Sequence, residues 1–217
     1  MTHPNNQTHN SQPTTHPQTI AIIDYGMGNL RSVQKALEKV GAEACITHKG
    51  EDIVKADKIV LPGVGAMAAA MSKIHDLGLT QIIGDVINTG KPFLGICLGM
   101  QLLFEQSAEG GNVQGLGVLK GNVERFTQGK VPHMGWNQLD IKPAGNMMYK
   151  DVANGGDVYF CHSYHVMPQD SKIIASLTQY SIPFVSSIAV KNIWGVQFHP
   201  EKSQTVGLQI LKNFVQI

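Results

Sequence analysis

The chain has 217 residues, 42% of them hydrophobic and only 15% charged, with a formal net charge of +1 at neutral pH. That length supports one well-filled core, and the charge balance removes the electrostatic case for DNA or RNA as the main partner. No apolar run reaches the length of a bilayer span, and three cysteines without metal-ligand spacing make neither a disulfide scaffold nor a zinc site.

Residues Met1 to Thr19 are rich in Asn, Gln, Thr, His and Pro and lack an apolar stretch. They read as a disordered polar extension, not a secretory leader, so the expected compartment is the cytoplasm. His3, His9 and His16 in that segment are too irregularly spaced to argue for a metal. A single domain is expected over residues 20–217.

Ile20 to Tyr25 predicts a short apolar strand that ends in the turn Gly26-Met27-Gly28-Asn29. A helix follows over Leu30–Val40, with Val33, Leu37 and Val40 on one face and Gly41 as its stop. The turn lacks the full glycine spacing and the closing acidic residue of a dinucleotide loop, so no nucleotide cofactor is expected. Cys45–Thr47 and Lys58–Leu61 predict strands. The second is closed by Pro62-Gly63-Val64-Gly65, which reads either as an ordinary strand-to-helix loop or as a wall whose backbone N–H groups face a developing oxyanion. Helices are expected over Ala66–Ile74 and Leu79–Asn88.

Pro92–Ile96 predicts the strand that delivers Cys97 within Gly95-Ile96-Cys97-Leu98-Gly99-Met100-Gln101, followed by a helix through Gln101–Glu105. Flanking glycines permit a tight turn and close backbone approach, and a helix start aims N–H groups at the sulfur and at any oxyanion formed beside it. A buried small hydrophobe is the other reading open to Cys97, and it is the reading given to Cys45 and Cys161. Strands alternating with amphipathic helices make this half an α/β unit with a largely parallel sheet flanked by helices, its function expected at the strand ends.

Beyond it, Leu116–Leu119, Val123–Arg125, Val131–Trp136, Val158–His162, Ile173–Leu177 and Val185–Val190 predict short strands that extend the sheet or form an antiparallel appendage. Ile193–Phe198 predicts the last strand, with His199-Pro200-Glu201 at its end. A helix over Thr205–Phe214 carries Leu208, Leu211 and Val215 toward the core. Taken alone, His-Pro-Glu reads as readily as a surface turn. Beside Cys97 it supplies an imidazole to take the thiol proton and a carboxylate to fix the tautomer, with Pro200 holding the short reach.

These motifs resemble those of the triad-type class I glutamine amidotransferases. Ile23 to Leu30, Leu61 to Gly65, Gly95 to Gln101, His133-Met134-Gly135-Trp136-Asn137, His162-Ser163-Tyr164 and Gln197 to Lys202 resemble, within that class, the glutaminase subunits of imidazole glycerol phosphate synthase. The resemblance spans Ile20 to Ile217 and implies a flavodoxin-like sheet with extra short strands in the second half. It implies Cys97 as nucleophile toward L-glutamine, His199 as base and acid, and Glu201 as its orienter. Oxyanion donors are implied at Leu98 and along Gly63, Val64 and Gly65, the latter after a peptide rearrangement. Gln101, His162, Ser163 and Tyr164 are implied to frame the substrate, and Asn29, Arg31, Trp136, Asn137 and Lys202 to face a partner. That partner is implied to be a β/α-barrel cyclase subunit forming a heterodimer, with no metal or other cofactor. Ala66 and Cys161 depart mildly from the pattern, and neither removes a reacting atom. A glutaminase for another ammonia-dependent synthase, a cysteine hydrolase of similar fold and a purely structural subunit are the alternatives.

Overall fold

The computed structural model describes residues 18–217. Most of the polar extension, including His3, His9 and His16, lies outside the described residues. In chain order the elements are β1 (Thr19–Ile23), α1 (Leu30–Lys39), β2 (Glu43–Thr47), α2 (Gly50–Lys55), β3 (Lys58–Gly63), α3 (Met67–Asp76), α4 (Leu79–Asn88), β4 (Phe93–Cys97) and α5 (Leu98–Gln101). There follow β5 (Phe104–Ser107), β6 (Val113–Gln114), β7 (Leu119–Arg125), β8 (His133–Gln138), β9 (Asp140–Ile141), β10 (Asp157–His162), β11 (Tyr164–Pro168), β12 (Ile174–Gln179), β13 (Pro183–Val190), β14 (Ile193–Val196) and α6 (Gln204–Gln216).

The main sheet runs β2-β1-β3-β4-β14-β13-β11-β7-β5-β6, with β12 joined to β13 and β9. From β2 to β14 every pairing is parallel, and the turn to antiparallel pairing comes at β13. The unbroken apolar run of β1 follows from burial on both faces, since successive side chains leave a strand on opposite sides. Ala21 and Ile23 pack with Ile53, Ala70, Ile74 and Ile83 of α2, α3 and α4. Ile20 and Ile22 pack with Val33 and Leu37 of α1 and with Ile210, Leu211 and Phe214 of α6. Strands β8 and β10 form a separate antiparallel pair. Among the described residues no helix is long and apolar enough to cross a membrane.

Several expectations are corrected. β1 begins at Thr19, inside the stretch read as extension, because Thr19 pairs with Glu43 and its hydroxyl donates to Asp57 at 2.8 Å. Pro62 and Gly63 belong to β3, opposite Ile96 and Cys97, so the turn starts only at Val64. The helix after Cys97 is a single turn, and Phe104 and Glu105 lie in β5. There the Leu102 and Leu103 carbonyls accept from Leu116 and Leu119 at 2.8 and 2.9 Å, a tertiary pairing that overrides local helix propensity. Leu116–Leu119 is not a strand of its own, since only Leu119 enters β7, which continues through Arg125. The apolar stripe of α6 is Ile210, Leu211 and Phe214, with Leu208 and Val215 only half-buried. Cys45 is exposed and Cys161 half-buried, so neither is the buried hydrophobe expected of it.

Candidate active site

Cys97 closes β4 with φ 53° and ψ −110°, a conformation that costs a non-glycine residue about 1–3 kcal/mol. The surrounding backbone imposes it. A Cβ on Gly99 would lie 1.7 Å from the Leu61 carbonyl oxygen, and one on Gly95 would lie 2.8 Å from both the Gly99 oxygen and the Met100 nitrogen. Glycine at these two places lets α5 press directly onto β3 and β4, and the strained residue between them is the cysteine.

β14 lies parallel beside β4, with Gly195 opposite Gly95 and Val196 opposite Ile96. The chain leaving β14 therefore emerges next to Cys97, which is how two motifs distant in sequence meet. The His199 N–H donates to the Tyr159 carbonyl at 2.9 Å, and its carbonyl accepts from the Ser203 hydroxyl at 2.7 Å. Residues Pro200–Lys202 form a single tight turn that brings Glu201 back under the imidazole. Nδ1 of His199 and Oε1 of Glu201 are 2.9 Å apart, with side chains only 4% and 1% exposed. The carboxylate can only accept, so Nδ1 carries the proton and Nε2 is left for the sulfur side. Burial alone would push the imidazole down, but hydrogen bonding to the Cys97 sulfur and then to Glu201, with the charge of both, carries it up to about 10. A thiol nucleophile, a base that returns its proton and a buried orienter equip this corner for acyl transfer through a covalent intermediate.

The corner opens into a cavity of about 370 Å³. Of the expected oxyanion residues, Leu98, Val64 and Gly65 line it with Cys97, while Gly63 lies in β3 opposite Cys97. Gln101, His162, Ser163 and Tyr164 all line it as well. Gln101 is held by its own amide, whose Nε2 donates to the Tyr164 carbonyl at 2.9 Å and to Gln197 Oε1 at 3.0 Å.

The expected partner-facing residues separate. Trp136 is 49% exposed and stacks edge-on with Tyr159, and the Lys202 ammonium lies 5.9 Å from that same ring. Lys202 also reaches the cavity. Asn137 leaves β8 on the other face and is half-buried, its Nδ2 donating to the Gln179 carbonyl at 2.9 Å. Strand alternation thus puts Trp136 and Asn137 on opposite faces of β8. Asn29 accepts from the Ser32 hydroxyl at 2.9 Å, and Arg31 donates to Gln34 at 3.0 Å. Arg31 lines a hollow beside β2 instead of the cavity.

Sequence reasoning missed four residues here. Glu109 and Cys161 line the cavity, Glu109 from an irregular loop where its carboxylate accepts from the Met67 N–H at 2.7 Å. Gln197 places its amide nitrogen 3.7 Å from the Cys97 sulfur. Tyr25 buries a hydroxyl close enough to Cys97 for the thiolate charge to add to the burial that holds its proton on. Only Gln197 carried a signal, its place two residues before His199 and directly after the strand next to β4.

A profile of the class-I glutamine amidotransferase family matches residues 21–217. The chain is 52% identical over 204 residues to the protein named imidazole glycerol phosphate synthase subunit HisH in Geobacter metallireducens, covering 90% of this chain and 97% of that one. It is 53% identical over 206 residues to the subunit of the same name in Geobacter sulfurreducens, again covering 90% and 97%. A crystal structure described as a glutamine amidotransferase superposes with a TM-score of 0.72 at 16% identity, over 91% of this chain and 99% of its own, which speaks to the fold alone.

Proposed function

Because the chain belongs to the class-I glutamine amidotransferase family, we propose that Cys97, His199 and Glu201 hydrolyse L-glutamine in the glutaminase subunit of an imidazole glycerol phosphate synthase. The glutaminase delivers ammonia to a cyclase partner in histidine biosynthesis. The observation that carries the residue assignment is the buried 2.9 Å contact between His199 and Glu201, beside a cysteine held in a strained turn at one end of a shared cavity.

The Cys97 sulfur, whose proton His199 already holds, attacks the side-chain carbonyl carbon of glutamine as a thiolate. His199 returns that proton to the departing nitrogen, which leaves as ammonia, and a glutamyl thioester remains on Cys97. Water then gives a proton to His199 and adds to the thioester, and glutamate departs to leave Cys97 as the thiolate. Charge on the tetrahedral oxygen is met by the Leu98 N–H and by N–H groups of the Gly63-Val64-Gly65 wall. Gln101, His162, Ser163 and Tyr164 frame the substrate, and the Glu109 carboxylate pairs with its α-ammonium group. Free ammonia in neutral water is mostly protonated and no longer nucleophilic, so a closed interface protects it. Trp136 and Lys202 both pack on the Tyr159 ring, with Lys202 reaching the cavity, and these three are the surface proposed for a β/α-barrel cyclase, in a reduced compartment such as the cytoplasm. The cyclase uses the ammonia to form imidazole glycerol phosphate and aminoimidazole carboxamide ribonucleotide.

The test is glutamate release by the full chain, alone and with a cyclase subunit carrying its formimino nucleotide substrate. Release should rise on addition of the loaded partner and vanish in Cys97→Ala. Equal rates with and without the partner, or an active Cys97→Ala, would refute the assignment.

A further inference from the structure

The Cys97 sulfur has a second neighbour besides the imidazole. Gln197 is completely buried, and its amide nitrogen lies 3.7 Å from Sγ. An amide can present either end, and the two have opposite effects: an N–H stabilises a thiolate, whereas a carbonyl oxygen repels it. What sets the sense is a carbonyl one residue further away.

The Tyr164 carbonyl has no proton to give, so both of its neighbours must donate. Gln101 Nε2 donates to it at 2.9 Å, and this fixes the Gln101 amide. The other Nε2 hydrogen goes to Gln197 Oε1 at 3.0 Å. That fixes the Gln197 amide in turn, with its N–H toward sulfur. On the other side His162 Nδ1 donates to the same carbonyl at 2.8 Å, so its Nε2 accepts from His133 Nδ1 at 3.0 Å. His133 Nε2 then accepts from the Asn137 amide at 3.3 Å, and the other hydrogen of that amide goes to the Gln179 carbonyl. Every proton in the chain is determined by two backbone carbonyls.

We infer that Gln197 is a thiolate-stabilising residue of the glutaminase, its amide polarised toward Cys97 by Gln101 and the Tyr164 carbonyl. This rests on Cys97 being the nucleophile. The N–H strengthens its bond as negative charge builds on sulfur, both when the thiol loses its proton and when the thioester breaks. It has little to hold while the sulfur is acylated, because a thioester sulfur is a poor acceptor. The titratable groups around the sulfur are His199 with Glu201 behind it, the Tyr25 hydroxyl from the β1 side and, lining the same cavity, Glu109, Cys161, His162, Tyr164 and Lys202, and substitution at Gln197 leaves them in place.

The experiment is the pH dependence of Cys97 alkylation by iodoacetamide in the full chain, read by mass analysis of the Cys97 peptide because Cys45 is exposed and reacts separately. Gln197→Met removes the N–H at similar volume. Gln197→Glu keeps an oxygen for Gln101 but turns another toward the sulfur. Both should move the midpoint of the alkylation profile up by about one pH unit, about tenfold in rate on the acid limb below the wild-type midpoint, and lower kcat for glutamate release by a similar factor. A role confined to holding Gln101 predicts instead that Gln197→Met alkylates with the wild-type midpoint, and that result overturns the inference. The shift in Gln197→Glu should be at least as large as that in Gln197→Met, because its carboxylate adds a negative charge beside the sulfur. Failure of the nucleophile assignment has a different signature, an active Cys97→Ala.

Discussion

Acidification should destabilise this protein well above the range in which carboxylates titrate, and the cause is the buried histidine pair. His133 and His162 sit among Phe126, Phe160 and Phe184. Burial holds His133 down to about 4 and His162 down to about 3. In the unfolded chain both titrate near 6.5. Their neutral forms therefore contribute stability that is complete above pH 6.5 and is lost as pH falls toward the folded values. Each costs about 1.4 kcal/mol per pH unit over that interval. Two units of descent, from pH 6.5 to 4.5, thus remove about 5 kcal/mol from the pair, a large part of the roughly 5–15 kcal/mol by which a domain is stable. His165 is also held down by burial and adds in the same direction. His199 has the opposite sign: carried up to about 10, it is protonated in both states below pH 6.5 and loses its contribution only as pH rises toward 10. Urea unfolding followed by tryptophan fluorescence at half-unit steps should give a stability maximum near pH 6.5. Between pH 6 and 5 the slope should correspond to between one and two protons taken up per unfolding event from this pair, with His165 adding to it. A slope below one proton would refute the reading of His133 and His162 as obligatorily neutral links.

Two further outcomes follow from the geometry. Glu201→Gln retains the shape of the 2.9 Å contact with His199 but removes its charge; a hydrogen bond to a charged group is worth about 1.5–3 kcal/mol, so kcat should fall about 10- to 150-fold. KM should stay nearly constant, and unchanged kcat would remove Glu201 from the mechanism. Gly99→Ala forces a methyl group to 1.7 Å from the Leu61 oxygen, a backbone clash that no rotamer relieves. Its thermal midpoint should drop by more than 10 °C or the chain should fail to fold, whereas a stable, active Gly99→Ala would show that α5 is not pinned to β3.

The parts of the site that could be read from the sequence are those in which local chemistry and backbone conformation point the same way. Glycines on both sides of Cys97 announce a turn too tight for side chains, and clearances of 1.7 and 2.8 Å are the reason. Pro200 between His199 and Glu201 announces a short return, which the tight turn over Pro200–Lys202 makes. The continuous apolar run of β1 required a layer on each face, and both layers are present. What escaped reading was decided by contacts made elsewhere. Gln101-Leu102-Leu103-Phe104-Glu105 has helical propensity, yet Leu116 and Leu119 claim its carbonyls, and nothing within the pentapeptide records that. Glu109 reaches the cavity from a loop with no periodicity to place it.

Gln197 marks the boundary between the two cases. Its position was readable, between the end of β14 and His199, but its function lies in which end of an amide faces a sulfur. That sense is imposed through Gln101 by the carbonyl of Tyr164, at the start of a strand that the alternation of residues did not reveal. A side chain with two chemically opposite ends takes its role from its neighbours' protons. Such a role becomes legible only when the chain of donors is followed to a group that can do nothing but accept.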